Sequence, residues 1–262
     1  MNIGGMDVGH DRRVFAIADL SANHLGSFDR AVDLIYAARK AGVSAVKLQC
    51  YDPHRMAIRR GGSIDAVCTE APWTGRTFLD LYLEAHTPRE WYGELSTFHS
   101  CLFASVFDKE DVDFLEPFDP PCLKIASREA ADIELVTCAA RTGRPLIIST
   151  GTATDEQLGR SIAEAAKHTN HIAILYCISE YPTDPNKIDY DEIGALRHRY
   201  GLPVGFSDHT LGVESAVKAV EAGACIIEKH LTLRRADGGP DAGFSLEPEE
   251  FAELVQKMRR KT

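Results

Sequence analysis

The sequence predicts an α/β protein, a single-domain (β/α)8 TIM barrel spanning residues 1–262, and three observations lead there. Eight short apolar runs recur along the chain, amphipathic helical patterns fill most of the gaps between them, and glycine closes several helices just before the next run. An open doubly wound sheet is the alternative arrangement of the same units.

After an N-terminal extension over residues 1–12, the strand candidates are Val14–Leu20, Ala45–Leu48, Leu102–Ser105, Leu123–Ala126, Leu146–Ser149, Ala173–Cys177, Pro203–Phe206 and Ala224–Ile227. Behind a Ser27 cap, Phe28, Ala31, Val32, Ile35 and Ala38 repeat at helical spacing. The box from Thr154 to Gln157 opens another helix, with Leu158, Ile162 and Ala165 on one face. The segments ARKAGVSAVKLQ, AARTGRPLIIST and AVEAGACIIEKH each set a glycine where a helix stops and a strand begins. One connection is out of scale, an insertion over residues 51–100, and long insertions in compact domains are usually functional lids or spacers. Its second half, WTGRTFLDLYLEAHTPREWYGEL, is too aromatic and periodic for disorder. Its first half, with Arg55, Arg59, Arg60 and a glycine pair, reads either as a mobile basic flap over an anionic ligand or as solvated surface arginines.

Strand-helix-strand units make parallel pairs, whose following residues meet at one edge of the sheet. The stretch GFSDHTLGVESAVKAVEAGACIIEKHLTL therefore brings His209 and His230 together, two polar clusters after two neighbouring strands. Converging neutral imidazoles suit a divalent metal with room for carboxylate, water or a substrate oxygen, whereas either histidine alone reads as a surface or capping residue. Catalytic groups of a barrel come from the C-terminal strand ends. Those ends hold Asp19, then Lys47 and Gln49, Ser105, Lys124 with Ser127 and Glu129, Ser149, Ser179 with Tyr181, Ser207, and the Glu228-Lys229-His230 triplet. Lysines and hydroxyls around a metal resemble a cradle for a phosphorylated carboxylate. Taken singly, Lys47 reads equally as a snorkelling side chain, Ser149 as a turn residue and Ser127 as a cap.

A net charge of −10 argues against nucleic-acid and anionic-membrane partners, because both require basic surfaces. Seven scattered cysteines without a CxxC pair point to reduced thiols and a cytoplasmic location. Neither a signal-peptide segment nor a membrane-length apolar run is expected.

The runs IADLSANHLGSFDRAVDLIYAARKAGVSAVKLQ, FLEPFDPPCLKIASREAADIEL, RPLIISTGTAT, GLPVGFSDHTLG, IEKHLTL and GPDAGFSLEPEEF, together with Tyr181-Pro182-Thr183, resemble the sialic acid synthase family over about Val14 to Met258. The insertion ending EAHTPREW is most similar to the pseudaminic acid synthase branch. The resemblance implies a barrel enzyme that condenses phosphoenolpyruvate with the open-chain aldehyde of an N-acyl hexosamine-like sugar, giving a 2-keto-3-deoxy sugar acid and phosphate. It implies His209 and His230 as ligands of a divalent ion, manganese first, with magnesium or cobalt as alternatives. It implies Lys47, Ser105, Lys124, Ser127, Ser149, Ser179 and Ser207 around phosphoenolpyruvate, and Gln49 and Tyr181 on the sugar side. Glu129 and Asp241 match acidic positions near the metal and sugar, and Glu129, Asp19, Lys124 and Asp241 form the expected catalytic group. A homodimer through the barrel is the implied assembly.

Four departures stand against the family pattern: Asp19 replaces a glutamate, Ser105 a threonine and Ser179 an asparagine, and Ala242 a histidine. The sequence also ends at Thr262, where the family continues into an antifreeze-like domain whose arginine meets the sugar's N-acyl group. Arginines at 55–60, or Arg234 and Arg235, are the expected replacements. Two other functions compete: a Schiff-base aldolase using Lys124 or Lys229, and a non-catalytic barrel binding a sugar or a partner.

Overall fold

Each barrel strand must be buried on both faces, one under helices and one inside the barrel, and the apolar runs meet that demand. The computed structural model describes residues 1–259; the expected chain end at Thr262 lies outside the described residues. The chain begins with an antiparallel hairpin, β1 (Asn2–Ile3) and β2 (Met6–Asp7). Eight parallel strands follow: β3 (Phe15–Asp19), β4 (Ala45–Cys50), β5 (Leu102–Val106), β6 (Leu123–Ile125), β7 (Leu146–Ser149), β8 (Ile172–Cys177), β9 (Val204–Asp208) and β10 (Ile226–His230). β10 pairs with β3 and closes the barrel, so the open-sheet alternative falls away.

Side chains alternate across a strand, and the alternation divides the core in two. Outward residues such as Ala16, Val46, Leu48, Ile148, Ile174 and Phe206 pack under the helices. Inward residues Phe15, Ile17, Phe103, Ile147, Leu175 and Ile226 fill the barrel together with Ile3 and Val8 of the N-terminal segment. The expected extension over 1–12 is thus the plug of the barrel's N-terminal end. Gly205 takes an inward position on β9 because a Cβ there would lie 2.4 Å from the Ile226 carbonyl oxygen.

The helices that face the strands are α1 (Phe28–Ala41), α5 (Lys109–Leu115), α6 (Ile133–Arg141), α7 (Asp155–Ala165), α8 (Asp191–Tyr200), α9 (Glu214–Glu221) and α10 (Pro248–Arg259). The expected caps are present: Ser27 accepts from the Arg30 amide, and Thr154 and Gln157 form a reciprocal capping box. The long insertion folds into α2 (Pro53–Gly61), α3 (Phe78–Ala85) and α4 (Tyr92–Leu95), with α2 and α3 packed on one another. Among the described residues no helix is long and apolar enough to cross a membrane.

The sequence pattern sets the triplets around His209 and His230 after their strands, but β9 runs on to Asp208 and β10 to His230. Pairing continues because Lys229 registers with Asp208 and His230 with Asp19, so the polar side chains satisfy one another instead of breaking the sheet. Strand parity then governs them: Glu228 and His230 share the inward face with Ile226, and Lys229 takes the outward face with Ile227.

Candidate active site

At the C-terminal mouth the inward positions change from apolar to charged, and a cluster of ions is buried in the barrel. Lys47 on β4 lies 2.7 Å from Glu228 Oε1 on β10 and 3.0 Å from Asp19 Oδ2 on β3. Lys124 on β6 donates to Ser149 Oγ at 2.6 Å, and its Nζ is 4.0 Å from Glu228. Ser207 on β9 donates to the same Glu228 oxygen at 3.0 Å. Burial alone would push Glu228 up, but the Lys124 and Lys47 ammoniums hold it at about 2. Asp19 moves the other way, raised by burial against the pull of Lys47 and further raised by Glu228. Burial lowers Lys124, whereas the two carboxylates beside Lys47 overcome its burial and raise it.

Beside this cluster the two imidazoles stand with ring centroids 5.7 Å apart. His209 Nδ1 lies 2.9 Å from the Ile178 carbonyl oxygen, which as an acceptor fixes the proton on Nδ1 and leaves Nε2 unprotonated, 3.5 Å from the Ser207 hydroxyl. His230 Nε2 is 3.6 Å from Asp19 Oδ2, and its buried Nδ1 has no partner among the described residues. Burial lowers both histidines to about 4, with His230 adding to the effect at His209, so both are neutral at pH 7. Tyr181 covers His209 at 4.4 Å between ring centroids, and Phe244 lies 5.2 Å from His230.

The insertion supplies the outer wall. Arg60 of α2 bonds Glu129 Oε1 at 2.6 Å, while Glu129 Oε2 is buried with no partner among the described residues. Burial raises Glu129 in spite of Arg60 and Arg59. Arg128 pairs with Glu70, and Trp73 donates its indole N–H to the Pro240 carbonyl at 2.9 Å, fastening the insertion across the mouth. Tyr51, Met56, Leu81, Tyr82 and Phe107 add an apolar lining.

All the predicted site residues except Ser179 line this one cavity: Asp19, Lys47, Gln49, Ser105, Lys124, Ser127, Glu129, Ser149, Tyr181, Ser207, His209, His230 and Asp241. Ser179 lies behind Ser127, hydroxyl to hydroxyl at 2.8 Å. The expected basic flap is instead the helix α2, with its arginines paired to carboxylates. Arg55 pairs with Asp108, and Arg59 with Asp132 and the Phe107 carbonyl. Arg234 pairs with Asp237 and Arg235 with Glu250, and neither lines the cavity, so of the expected arginines only Arg60 does. Lys229 is likewise displaced from the chemistry. Fully buried on the outer face of β10, it donates to Asp208 Oδ2 and the Thr210 carbonyl, each at 2.7 Å, clamping both neighbours of His209. Sequence reading missed Ser21, Arg60's contact to Glu129, Trp73 and the central place of Glu228; parity with His230 was the available signal for Glu228.

The buried imidazoles make stability depend on pH. His24, like His209 and His230, is lowered to about 4, chiefly by burial. Between pH 6.5 and 4 the unfolded chain takes up protons that the native state refuses, so stability is full above this window and falls as pH drops through it. Each histidine contributes on the order of 3 kcal/mol to that loss. Urea denaturation of metal-free protein should show a clearly lower midpoint at pH 4.5 than at pH 7.5; equal midpoints would contradict neutral burial.

The fold agrees with comparisons to known proteins. The chain is 38% identical over 268 residues to the pseudaminic acid synthase of Campylobacter jejuni, covering 99% of this chain and 76% of that protein. It is 33% identical to the pseudaminic acid synthase of Helicobacter pylori, covering 93% and 73% of the two chains. The crystal structure of N-acetylneuraminic acid synthetase from Leptospira borgpetersenii superposes with a TM-score of 0.90 at 30% identity, covering 100% of this chain and 88% of that one. The NeuB family profile matches residues 34–262, and with a relative 38% identical over 99% of this chain, this chain belongs to the NeuB family.

Proposed function

We propose that this chain condenses phosphoenolpyruvate with the open-chain aldehyde of an N-acylated aldose to give a 2-keto-3-deoxy sugar acid and phosphate. One observation carries the proposal: a buried lysine and serine cradle opens onto the same cavity as two neutral imidazoles. In this reaction C3 of phosphoenolpyruvate bonds the aldehyde carbon, water adds at C2, and the C2–O bond to phosphate breaks.

Lys47 and Lys124 are the cations for the carboxylate and phosphate, and Ser105, Ser127, Ser149 and Ser207 offer hydroxyls to their oxygens, with Ser179 supporting Ser127. Glu228 is the carboxylate nearest both lysines when no anion is bound, favouring their charged forms against burial. The histidine pair fits a divalent ion: both rings are neutral, His209 Nε2 is unprotonated, and His230 Nδ1 is a buried atom without a partner among the described residues. Among the described residues no group of three His, Cys, Asp or Glu side chains assembles as a metal site, so water and substrate oxygens would have to complete the shell of an ion held by the two histidines. Manganese is the expected ion, with magnesium or cobalt as alternatives, and when bound it supplies a Lewis acid for the aldehyde oxygen. Glu129, destabilised as an anion by burial, delivers a proton to that oxygen, and Arg60 aims its carboxyl. Asp19, similarly raised, takes the proton from the water that adds at C2. Gln49, Tyr181 and Asp241 face the sugar.

Residues 1–262 serve as one catalytic barrel domain, with 1–12 as its N-terminal extension and the 51–100 insertion as its cover. The protein pairs with a second copy through the barrel and works in the cytoplasm, where its seven free cysteines stay reduced. Phosphate release from phosphoenolpyruvate with manganese, measured across N-acylated and plain aldoses, tests the reaction. Release that depends on an N-acylated aldose is expected; release indifferent to the sugar would refute it.

A further inference from the structure

Ser21 ends the first barrel strand's turn into the cavity with φ +44°, the left-handed region that costs a residue with a Cβ about 1–2 kcal/mol. Glycine would avoid this cost, so the serine side chain has to offset it through its own contacts. Ser21 is almost fully buried, and both its N–H and its hydroxyl are engaged. Its N–H donates to Asp19 Oδ1 at 3.0 Å. Its hydroxyl donates to Asp241 Oδ2 and accepts from Gln49 Nε2 at 2.9 Å. The Ala22 N–H adds a longer contact of 3.4 Å to the same Asp241 oxygen.

The donor order follows from chemistry. The Gln49 amide N–H can only donate, so the hydroxyl's lone pair takes it, and the single hydroxyl hydrogen goes to the Asp241 carboxyl oxygen. Gln49 is thereby turned so that Oε1 points away from Ser21, and one carboxylate oxygen of Asp241 is left over as well. Among the described residues nothing bonds Gln49 Oε1 or Asp241 Oδ1, and all three residues line the cavity. The row joins three separate segments, with Gln49 on β4, Ser21 after β3, and Asp241 220 residues further on.

We propose that Ser21 is the positioning residue for acceptor recognition: its hydroxyl presets Gln49 and Asp241 as two hydrogen-bond acceptors at a fixed separation, for hydroxyl or amide N–H groups of the acceptor aldose. It rests on the synthase function proposed above. Phosphoenolpyruvate is held elsewhere, by the lysine and serine cradle, so the two substrates should respond differently to a change at this position.

Ser21→Ala and Ser21→Gly separate the hydroxyl from the backbone. Both lose the hydroxyl; only glycine relieves the positive φ. The test uses full-length enzyme and whichever N-acylated aldose gives the highest wild-type kcat/KM. In both variants the aldose KM is expected to rise about tenfold, the order of one lost hydrogen bond to a charged group, with the phosphoenolpyruvate KM within about twofold of wild type. Ser21→Gly should also match or exceed Ser21→Ala in thermal stability. An unchanged aldose KM in either folded variant would overturn the assignment, as would equal rises in both KM values, which signal general disorder of the site. Wild-type turnover is read first: absence of phosphate release with every aldose would be the failure of the synthase function, and would remove the basis for the Ser21 assignment with it.

Discussion

Lys47→Met is expected to damage both stability and binding more than any other single change in the cavity. The ammonium lies between two buried carboxylates, 2.7 Å from Glu228 and 3.0 Å from Asp19. Its removal leaves like charges facing each other in the barrel, and breaking such a buried pair typically costs about 3–5 kcal/mol. Affinity for phosphoenolpyruvate should fall roughly a hundredfold, because a fixed cation for its charge is gone. Pairing the change with Asp19→Asn separates the two effects. The double variant should recover part of the stability, measured by urea denaturation, and none of the phosphoenolpyruvate affinity, measured by calorimetry. Recovery of affinity along with stability would assign Lys47 a purely structural task.

His209→Ala and His230→Ala should each lower kcat/KM by about a thousandfold or more, the scale of losing several kcal/mol of charge stabilisation at a developing oxyanion. Chelation of wild-type enzyme should reproduce the loss, and added manganese should restore wild type but neither variant. Binding of manganese alone, read by calorimetry, should weaken in both variants. Phosphoenolpyruvate affinity should change much less, since neither ring contacts Lys47, Lys124 or the serine hydroxyls other than Ser207, 3.5 Å from His209. Unaltered manganese binding in either variant would exclude that histidine as a ligand.

Much of the site was legible because barrel chemistry depends on parity and strand order, and both are local. A strand's inward residues alternate, so Lys47 and Gln49 on β4, or Ser207 on β9 followed by His209, could be placed without coordinates. Parity also carried information that was not used: Lys229 sits between inward Glu228 and His230, so it had to face outward, where it binds Asp208 in place of a substrate. Glu228 was named at a strand end but not as a site residue, because its role arises from Lys47 and Lys124, which reach it from two other strands.

The insertion was the least legible part. Its basic composition suggested a mobile anion-binding flap, but composition does not show which carboxylates lie opposite. Asp108 and Asp132, which neutralise Arg55 and Arg59, follow from how α2 packs against the ends of β5 and β6. The contacts from Arg60 to Glu129 and from Trp73 to Pro240 span 69 and 167 positions, distances at which no periodicity speaks. Ser21 was overlooked for a different reason, since a positive φ at a non-glycine residue leaves no mark in a sequence.

The most direct test of the central claim follows the carbon of phosphoenolpyruvate. Enzyme, manganese and the best N-acylated aldose would be incubated with phosphoenolpyruvate labelled with carbon-13 at C3, and the products read by NMR and mass. The label is expected as a methylene inside a sugar acid whose mass is that of the aldose plus pyruvic acid. Label recovered only in free pyruvate, with phosphate released, would mean hydrolysis without a new carbon–carbon bond, and would contradict the assignment of this cavity to condensation.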